Sequence, residues 1–458
     1  MAAAAATSPA RAAAWAFAAA TCVKLLLVPT YRSTDFDVHR YWLALTHALP
    51  ARRWYTDASS QWTLDYPPFF AYFSRLLALP APLVDASLVS LPVPDAPPSF
   101  AYLLYLRLTV AFSDLLLLLS SVLLLATDAL TRRRRRPFLS LALVLWSPAL
   151  LAVDHVHFQY NGFLMGLLLL SLHFLEQGRD LAGGVVFAAL LCSKHLFLVA
   201  APVYFVYLFR HYCCGRGVVR GLGRLVLMGA GVAAVFAAAF VPFLYYGQMQ
   251  QLFNRLFPFG RGLCHAYWAP NFWVFYILLD KILAFLLRRL GFNIQIPEAS
   301  FTGGLVGNSS PFAVLPKVLS TTMNSYIFPR ENGYLNVSCY SLFPLLFENQ
   351  EYPIKVMLLL TYATLMWVGF SSHFAAKSPQ EGKKVNESGS VVRKNSFIGW
   401  ISFSYLLGIV AIELWSQVFH RYVFGSRFPF LPLIMVSLYC GVGMMYSWMW
   451  QLTWIVRH

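Results

Sequence analysis

Three stretches of this 458-residue chain gather side chains able to move protons or hold charge. The first reads Thr34-Asp35-Phe36-Asp37-Val38-His39-Arg40-Tyr41-Trp42 and follows closely on an apolar run. Its carboxylates lie at a boundary between apolar and polar chain. Partial desolvation beside aromatic rings suits a carboxylate to general-base work there. On a short helix, Asp37 and Arg40 are three apart and able to pair, which leaves Asp35 to act. The alternative is a helix cap with a surface ion pair.

The second stretch, Trp62-Thr63-Leu64-Asp65-Tyr66-Pro67-Pro68-Phe69-Phe70, sets aromatics and a rigid Pro pair around Asp65. A proline keeps the residue before it out of helical geometry, so Tyr66 and Pro67 are expected to be extended. The segment reads equally as a turn at headgroup level and as a surface for sugar or lipid. The third stretch is the densest in polar groups: Asp154, His155, His157, Gln159, Tyr160 and Asn161 sit between two apolar runs. Ionisable groups at a membrane edge are costly and mark function by default. Two His and an Asp also suit a metal. His155 and His157, two apart, do not share a helix face, which favours substrate binding. Lys194-His195 inside an apolar stretch, and Arg261, His265 and Trp268 within an aromatic loop, add cations and rings. Each reads either as a polar contact between helices or as part of the same pocket. Aromatics stack on sugars, and Lys, His and Arg neutralise phosphate. The set suits transfer of a sugar from a lipid phosphate, although residue types alone do not name that reaction.

The elements that position these residues are apolar helices. Hydrophobic residues make up 59% of the chain and charged ones 12%, with a mean hydropathy of +0.59. A water-soluble core cannot hide that much apolar surface. The expected class is therefore an all-α polytopic membrane protein. The net charge of +16 falls in short clusters between apolar runs, a pattern that sets membrane orientation and argues against nucleic acid as a partner. The seven cysteines are scattered as small hydrophobes, and the adjacent Cys213-Cys214 pair lacks metal-site spacing.

Residues 12–29 form the first span, read as uncleaved because the apolar run continues past Lys24. The second, 100–126, ends at five arginines, Arg132 to Arg136, which assigns that loop to the cytoplasm. The loop 31–98, one crossing earlier, then lies on the far side. Parity carries on through 138–153, 162–175, 181–209, 225–246 and 272–287. The stretch 181–209 is either one long span or two short legs interrupted at Ser193-Lys194-His195. From 291 to 350 there is at most one poor span, and clear ones resume at 354–370, 397–414 and 430–449. The count is ten or eleven. A basic linker, 373–395, reads as a cytoplasmic loop. Of the sequons at Asn308, Asn336 and Asn386, the last therefore stays unmodified.

At these residues the chain resembles the dolichyl-phosphate-glucose-dependent alpha-1,3-glucosyltransferases of the endoplasmic reticulum. The likeness rests on the three stretches above, on Ser193-Lys194-His195-Leu196-Phe197, on Arg261-Gly262-Leu263-Cys264-His265-Ala266-Tyr267-Trp268 and on Tyr340-Ser341-Leu342-Phe343-Pro344-Leu345-Leu346-Phe347. Thr34-Asp35-Phe36 and Phe69-Phe70 are similar to the second of two such enzymes, which acts on the monoglucosylated lipid-linked oligosaccharide of asparagine-linked glycosylation. The resemblance implies a GT-C fold with lumenal loops, an endoplasmic-reticulum membrane location and a lumenal site. It implies inverting transfer of the second glucose from dolichyl-phosphate-glucose onto the dolichyl-pyrophosphate-linked acceptor, with Asp35 as base and neither cofactor nor metal. Asp37, Arg40, Asp65, Tyr66, Asp154, His155, His157, Gln159, Tyr160, Asn161, Lys194, His195, Arg261, His265 and Trp268 are then the substrate-binding candidates. The whole of 1–458 is one integral membrane domain on this reading. Near 317–339, however, the family has further spans and a lumenal His-Glu-Lys loop. A short stretch, Lys317 to Asn324, stands in their place here, which implies an internal truncation. The alternatives are the first glucosyltransferase of the same pathway, an inactive truncated form, or a membrane transporter. A transporter would spread polar groups over both faces and the midplane, whereas here they gather on one.

Overall fold

A computed structural model describes residues 9–92, 98–132, 137–214, 217–257, 273–295, 312–315, 352–358, 360–361, 364, 404–405, 407–425, 427 and 431–457. Every regular element among them is helical. Contacts divide the chain into two compact units, Met1–Pro258 with Leu346–Met366, and Phe259–Leu345 with Trp367–His458.

The first unit begins with α1 (Pro9–Leu26) and α2 (Thr34–Ala48). The start of α2 is set locally. Ser33 is extended, and its hydroxyl accepts the Asp35 N–H at 3.2 Å. This satisfies one of the amides that a helix leaves open, and Asp35 and Asp37 lie in the first turn, where the helix dipole favours negative charge. At the other end, Arg75 Nη1 donates to Thr46 O at 2.8 Å and His47 O at 2.6 Å, closing the last carbonyls. Arg75 belongs to α3 (Pro68–Ala78), which opens on a Pro after an extended Pro67, as the Pro pair leads one to expect.

Helix α4 (Phe100–Arg132) is the scaffold's spine. After it come α5 (Pro137–Leu145), a π-helical turn over Leu151–Val156, α6 (Asn161–Glu176) and α7 (Asp180–Leu191). A 3-10 turn at His195–Ala200 leads into α8 (Ala201–Leu208). The stretch 181–209 is thus two helical legs broken at 192–194. Helix α9 (Val218–Tyr245) and the short α10 (Met249–Leu256) complete the described part of 1–258. Among the described residues, three helical segments are long and apolar enough to cross a membrane: Phe100–Thr127, His195–Cys213 and Val218–Tyr245. Shorter apolar helices accompany them at Ala13–Leu26, Pro68–Val84, Leu141–Val156, Asn161–Glu176, Asp180–Leu191 and Ile434–Tyr446. On α9, Leu222, Val226, Val241 and Leu244 are exposed, as suits a helix whose solvent is lipid.

Helix α4 packs along α6 at glycine distance. A Cβ on Gly166 would meet Leu117 N at 2.8 Å, and one on Gly162 would meet Asp114 Oδ1 at 1.9 Å. These glycines are four apart, on one face of α6, so their missing side chains let the two helices close up. Between α2, α3 and the turn before α6 lies an aromatic core built on Phe36, Trp42, Phe70, Phe158 and Tyr160. Its rings meet edge to face, as Phe36 and Phe158 do at 4.9 Å between centroids.

In the second unit, α11 (Trp273–Arg289) packs on α13 (Leu431–Arg457), with α12 (His420–Phe424) preceding the latter. Asp280 of α11, buried, accepts the backbone N–H groups of Ala313, Val314 and Leu315 at 3.0, 2.8 and 2.7 Å. Tyr405 and Tyr439 stack at 4.6 Å, each hydroxyl donating to the other's carbonyl. The expectations for 317–339 and 373–395, the three sequons and Arg133 to Arg136 fall outside the described residues.

Replacing Gly162 by Ala should cost about 1–3 kcal/mol, the usual penalty for overpacking a tight contact. A thermal unfolding curve of the detergent-solubilised variant checks this; an unchanged midpoint would show that α4 and α6 can part without loss.

Candidate active site

Asp35 sits one residue into α2, with its side chain about one quarter exposed, at 27%. Its Oδ2 accepts from Gln159 Nε2 and lies 3.3 Å from His157 Nε2. Oδ1 has no hydrogen-bond partner among the described residues. Two stretches of sequence 124 residues apart thus converge on one carboxylate.

The orientation of the amides around Asp35 follows from groups that can play only one role. Lys194 Nζ can only donate, and it donates to Asn161 Oδ1 at 2.9 Å. Asn161 Nδ2 must then face acceptors, and it reaches Asp154 Oδ1 and Gln159 Oε1, both at 2.9 Å. With Oε1 occupied, Gln159 turns Nε2 toward Asp35. A lysine, two amides and two carboxylates form one ordered network.

Burial pushes the Asp35 carboxyl up, but His157, through a hydrogen bond and its charge, and Gln159 and His39 outweigh it and hold the group below the usual carboxylate range. Asp35 is therefore ionised at neutral pH. His39, one turn along α2, is buried among the rings of Trp42, Tyr66, Phe70, Phe158 and Tyr160. Burial brings its imidazole down to about 4 against the pull of Asp35, and Lys194 and His157 add to the drop. His39 is consequently neutral near pH 7. Tyr66 stacks beneath Lys194, whose Nζ stands 5.1 Å from the ring centroid. Burial raises the Tyr66 phenol, with Lys194 pulling the other way.

The loop holding His157 and Gln159 is itself unusual. Phe158 has φ +74°, a left-handed conformation that a bulky side chain adopts only under constraint. Its ring is fully buried against Phe36 and Tyr160. That burial anchors the turn, and the residues on either side of Phe158 both reach Asp35. Just upstream, the π-helical turn places Asp154 and His155 out of ordinary helical register.

Of the candidates named from sequence, Asp35, Tyr66, Asp154, His157, Gln159, Asn161 and Lys194 come together. Tyr160 packs its ring on His39, while its hydroxyl pairs with Thr109 at 2.8 Å. His155 faces the other way, its Nε2 2.9 Å from Asp114 Oδ2. The two histidines therefore serve different carboxylates. Asp37 is exposed, and two residues of helix turn it away from Asp35. The expected Asp37–Arg40 pair does not form: Arg40 is buried and donates to Ser87 O at 3.1 Å. Nor is Asp35 left unengaged, since Gln159 and His157 hold it. Asp65 lies within electrostatic reach of Tyr55, Tyr66 and Arg255, and His195 packs on Phe257 at 5.2 Å. Arg261, His265 and Trp268 lie outside the described residues.

Sequence reasoning passed over Ser33, His39, Arg107, Asp114 and the ionic role of Lys24. Lys24 Nζ meets Asp114 Oδ2 at 2.6 Å, both side chains 5% exposed, and the same oxygen takes His155. The signal was present, because Asp114 and Arg107 are the lone acid and the lone base within 100–126 and charges in a span need partners.

Comparison with known proteins gives the kinship of the chain. Residues 20–329 and 331–451 match the profile of the ALG6, ALG8 glycosyltransferase family. The chain is 51% identical to the Dolichyl pyrophosphate Glc1Man9GlcNAc2 alpha-1,3-glucosyltransferase of Arabidopsis thaliana, over 96% of each chain. It is 36% identical to the protein of that name from Bos taurus, over 94% of this chain and 93% of the relative. With the Schizosaccharomyces pombe protein it shares 34%, over 95% and 96%.

Changing Lys24 to Met should leave Asp114 short of a partner and cost about 3–5 kcal/mol, as breaking a buried pair does. Adding Asp114→Leu should recover part of that loss. A double variant no more stable than the single one, by the same melting curve, would refute the pairing as the cause.

Proposed function

Because this chain belongs to the ALG6, ALG8 glycosyltransferase family, we propose that it transfers glucose in alpha-1,3 linkage onto the Glc1Man9GlcNAc2 oligosaccharide carried on dolichyl pyrophosphate. The names of its relatives give the acceptor and the linkage. The donor in this reading is dolichyl-phosphate-glucose, the fold is GT-C, and the site opens to the lumen of the endoplasmic reticulum from the loop 31–98.

One observation carries the assignment of chemistry: the Asp35 carboxylate is kept ionised on one oxygen by Gln159 and His157, while the other has no described protein partner. Asp35 Oδ1 removes the proton from the 3-hydroxyl of the terminal glucose. That oxygen attacks the anomeric carbon of the donor glucose from the face opposite the phosphate. The bond from that carbon to the phosphate oxygen breaks, dolichyl phosphate departs, and a beta linkage becomes alpha. Phosphate leaves readily as an anion, so a nearby cation suffices in place of a general acid. Lys194 is that cation, held over the Tyr66 ring beside Asn161. Of the rings around His39, that of Tyr66 is half-buried and offers a face to the sugar beside Lys194.

The remaining domain reading is a single integral membrane domain over 1–458, cytoplasmic at 373–395, with an internal truncation near 317–339. The family match in two blocks that meet at residue 330 supports the truncation. So does the alignment with the Arabidopsis relative, which runs over 498 positions, more than this chain contains.

The deciding assay follows labelled glucose from synthetic dolichyl-phosphate-glucose to acceptors bearing no glucose or one. Product from the monoglucosylated acceptor alone is the expected result. Product from the unglucosylated one alone would reassign the chain to the first transfer, and activity only after the relative's extra segment is inserted near residue 330 would establish the truncation. Asp35→Asn should lower turnover by about 10²–10⁴-fold, the usual weight of a general base, with expression unchanged; an active variant would end the assignment.

The pH dependence has a definite sign. The Asp35 carboxyl is depressed, so turnover holds at neutral pH and declines only as pH drops through that lowered value. His157→Ala removes a hydrogen bond and a charge that depress it. The acid limb of the turnover profile should then move to higher pH, and a limb that stays put would mean that His157 does not tune the base.

A further inference from the structure

Between the two segments that meet at Asp35 stands a cation that belongs to neither. Arg107 lies on α4, is 3% exposed, and forks three ways. Its Nη1 donates to His155 O and, at 3.1 Å, to Val156 O, while Nη2 donates to Tyr31 O at 3.0 Å. The first two carbonyls close the π-helical turn just before His157. The third lies two residues before Ser33, the cap of α2. The guanidinium is itself framed by the rings of Phe36 and Phe158, 5.6 and 5.7 Å from their centroids, within cation–π range. Those rings flank Asp35 on one side and join His157 to Gln159 on the other.

A backbone carbonyl buried without a donor is costly, so this fork supplies what the π turn and the 27–33 connection lack. Its planar donors also set the spacing of the two segments, as a point charge on a flexible stem does not. Ser33 adds a second tie, its hydroxyl donating to His157 O. We propose that Arg107 is a positioning residue for the transfer: by bridging the Tyr31, His155 and Val156 carbonyls, it holds the Asp35 segment against the His157–Gln159 loop and thereby sets the contact between base and partners. It touches no reacting atom. The inference rests on Asp35 being the base and goes beyond it by naming what keeps the base in place.

Misplacement of a catalytic group by about 1 Å costs on the order of 10²-fold in rate. Arg107→Lys keeps the charge but cannot span three carbonyls, and Arg107→Met removes the donors at similar volume. Turnover of the full-length protein in detergent or nanodiscs should decline about 10-fold or more in the Lys variant and further in the Met variant, with KM for both substrates changed less than turnover. The groups facing Asp35 are His157, Gln159, His39 and the Tyr66 phenol, so loosening the first two should carry the acid limb toward the usual carboxylate range, a shift that general loss of folded protein does not produce. In a His157→Ala background, Arg107→Lys should move the limb little further.

Folded variants with parental turnover and an unmoved limb would overturn the proposal, as would reduced turnover with the limb in place. Should Arg107→Met fail to fold, the Lys variant still decides. Failure here is distinct from failure of the base assignment: an inert Asp35→Asn beside fully active Arg107 variants sinks only the positioning role, whereas an active Asp35→Asn sinks the base itself.

Discussion

A carboxylate placed halfway along an apolar helix has to be neutralised, and Asp114 is that carboxylate. Lys24 from α1 and His155 from the turn before α6 both close on its Oδ2. The arrangement ties three elements together at one oxygen. It also draws His155 inward, away from Asp35, so that the π-helical turn presents His157 to the site. Gly162 must lack a side chain for this to happen, since Asp114 Oδ1 occupies the space that a Cβ would take. The ionic cluster is thus the floor on which the site is laid, and helix contact, turn geometry and histidine direction follow from it.

Above that floor the problem is electrostatic. Burial alone would raise the Asp35 carboxyl, and a protonated acid cannot act as a base. Donors on one oxygen reverse the shift and leave the other oxygen without a described protein partner. The amide network passes the directionality of Lys194 through the uncharged Asn161 and Gln159 to Asp35. His39 contributes a neutral, ring-bounded wall one turn below. Backbone strain at Phe158 of about 1–3 kcal/mol is tolerated because its ring is fully buried against aromatic neighbours.

The family relationship and the geometry answer different questions. Identity of 51% over 96% of the chain carries kinship, and kinship alone does not say which carboxylate among several acts. The convergence of His157 and Gln159 on Asp35, with Asp37 turned outward, separates two neighbours that are chemically alike.

Much of the architecture was legible from the chain alone. Apolar runs separated by basic clusters specify helices in lipid, because a backbone in hydrocarbon must satisfy itself within one segment. The extended Pro67 was readable because proline acts over a few residues, and the break at 192–194 because polar side chains interrupt an apolar run there. The three polar stretches stood out because buried charge is expensive wherever it occurs. What one dimension could not supply was direction. Which of Asp35 and Asp37 faces inward, why Arg40 prefers Ser87 O to Asp37, and how His155 and His157 part company all depend on groups far off in sequence. Asp114, Lys24 and Arg107 act across 41 to 90 residues, and such pairings are set by packing, where the cost of an unpaired buried group selects its partner. The chain by itself determined helices, membrane and the inventory of reactive side chains; tertiary structure alone decided which of them meet, because hydrogen-bond and charge satisfaction is settled among neighbours in space.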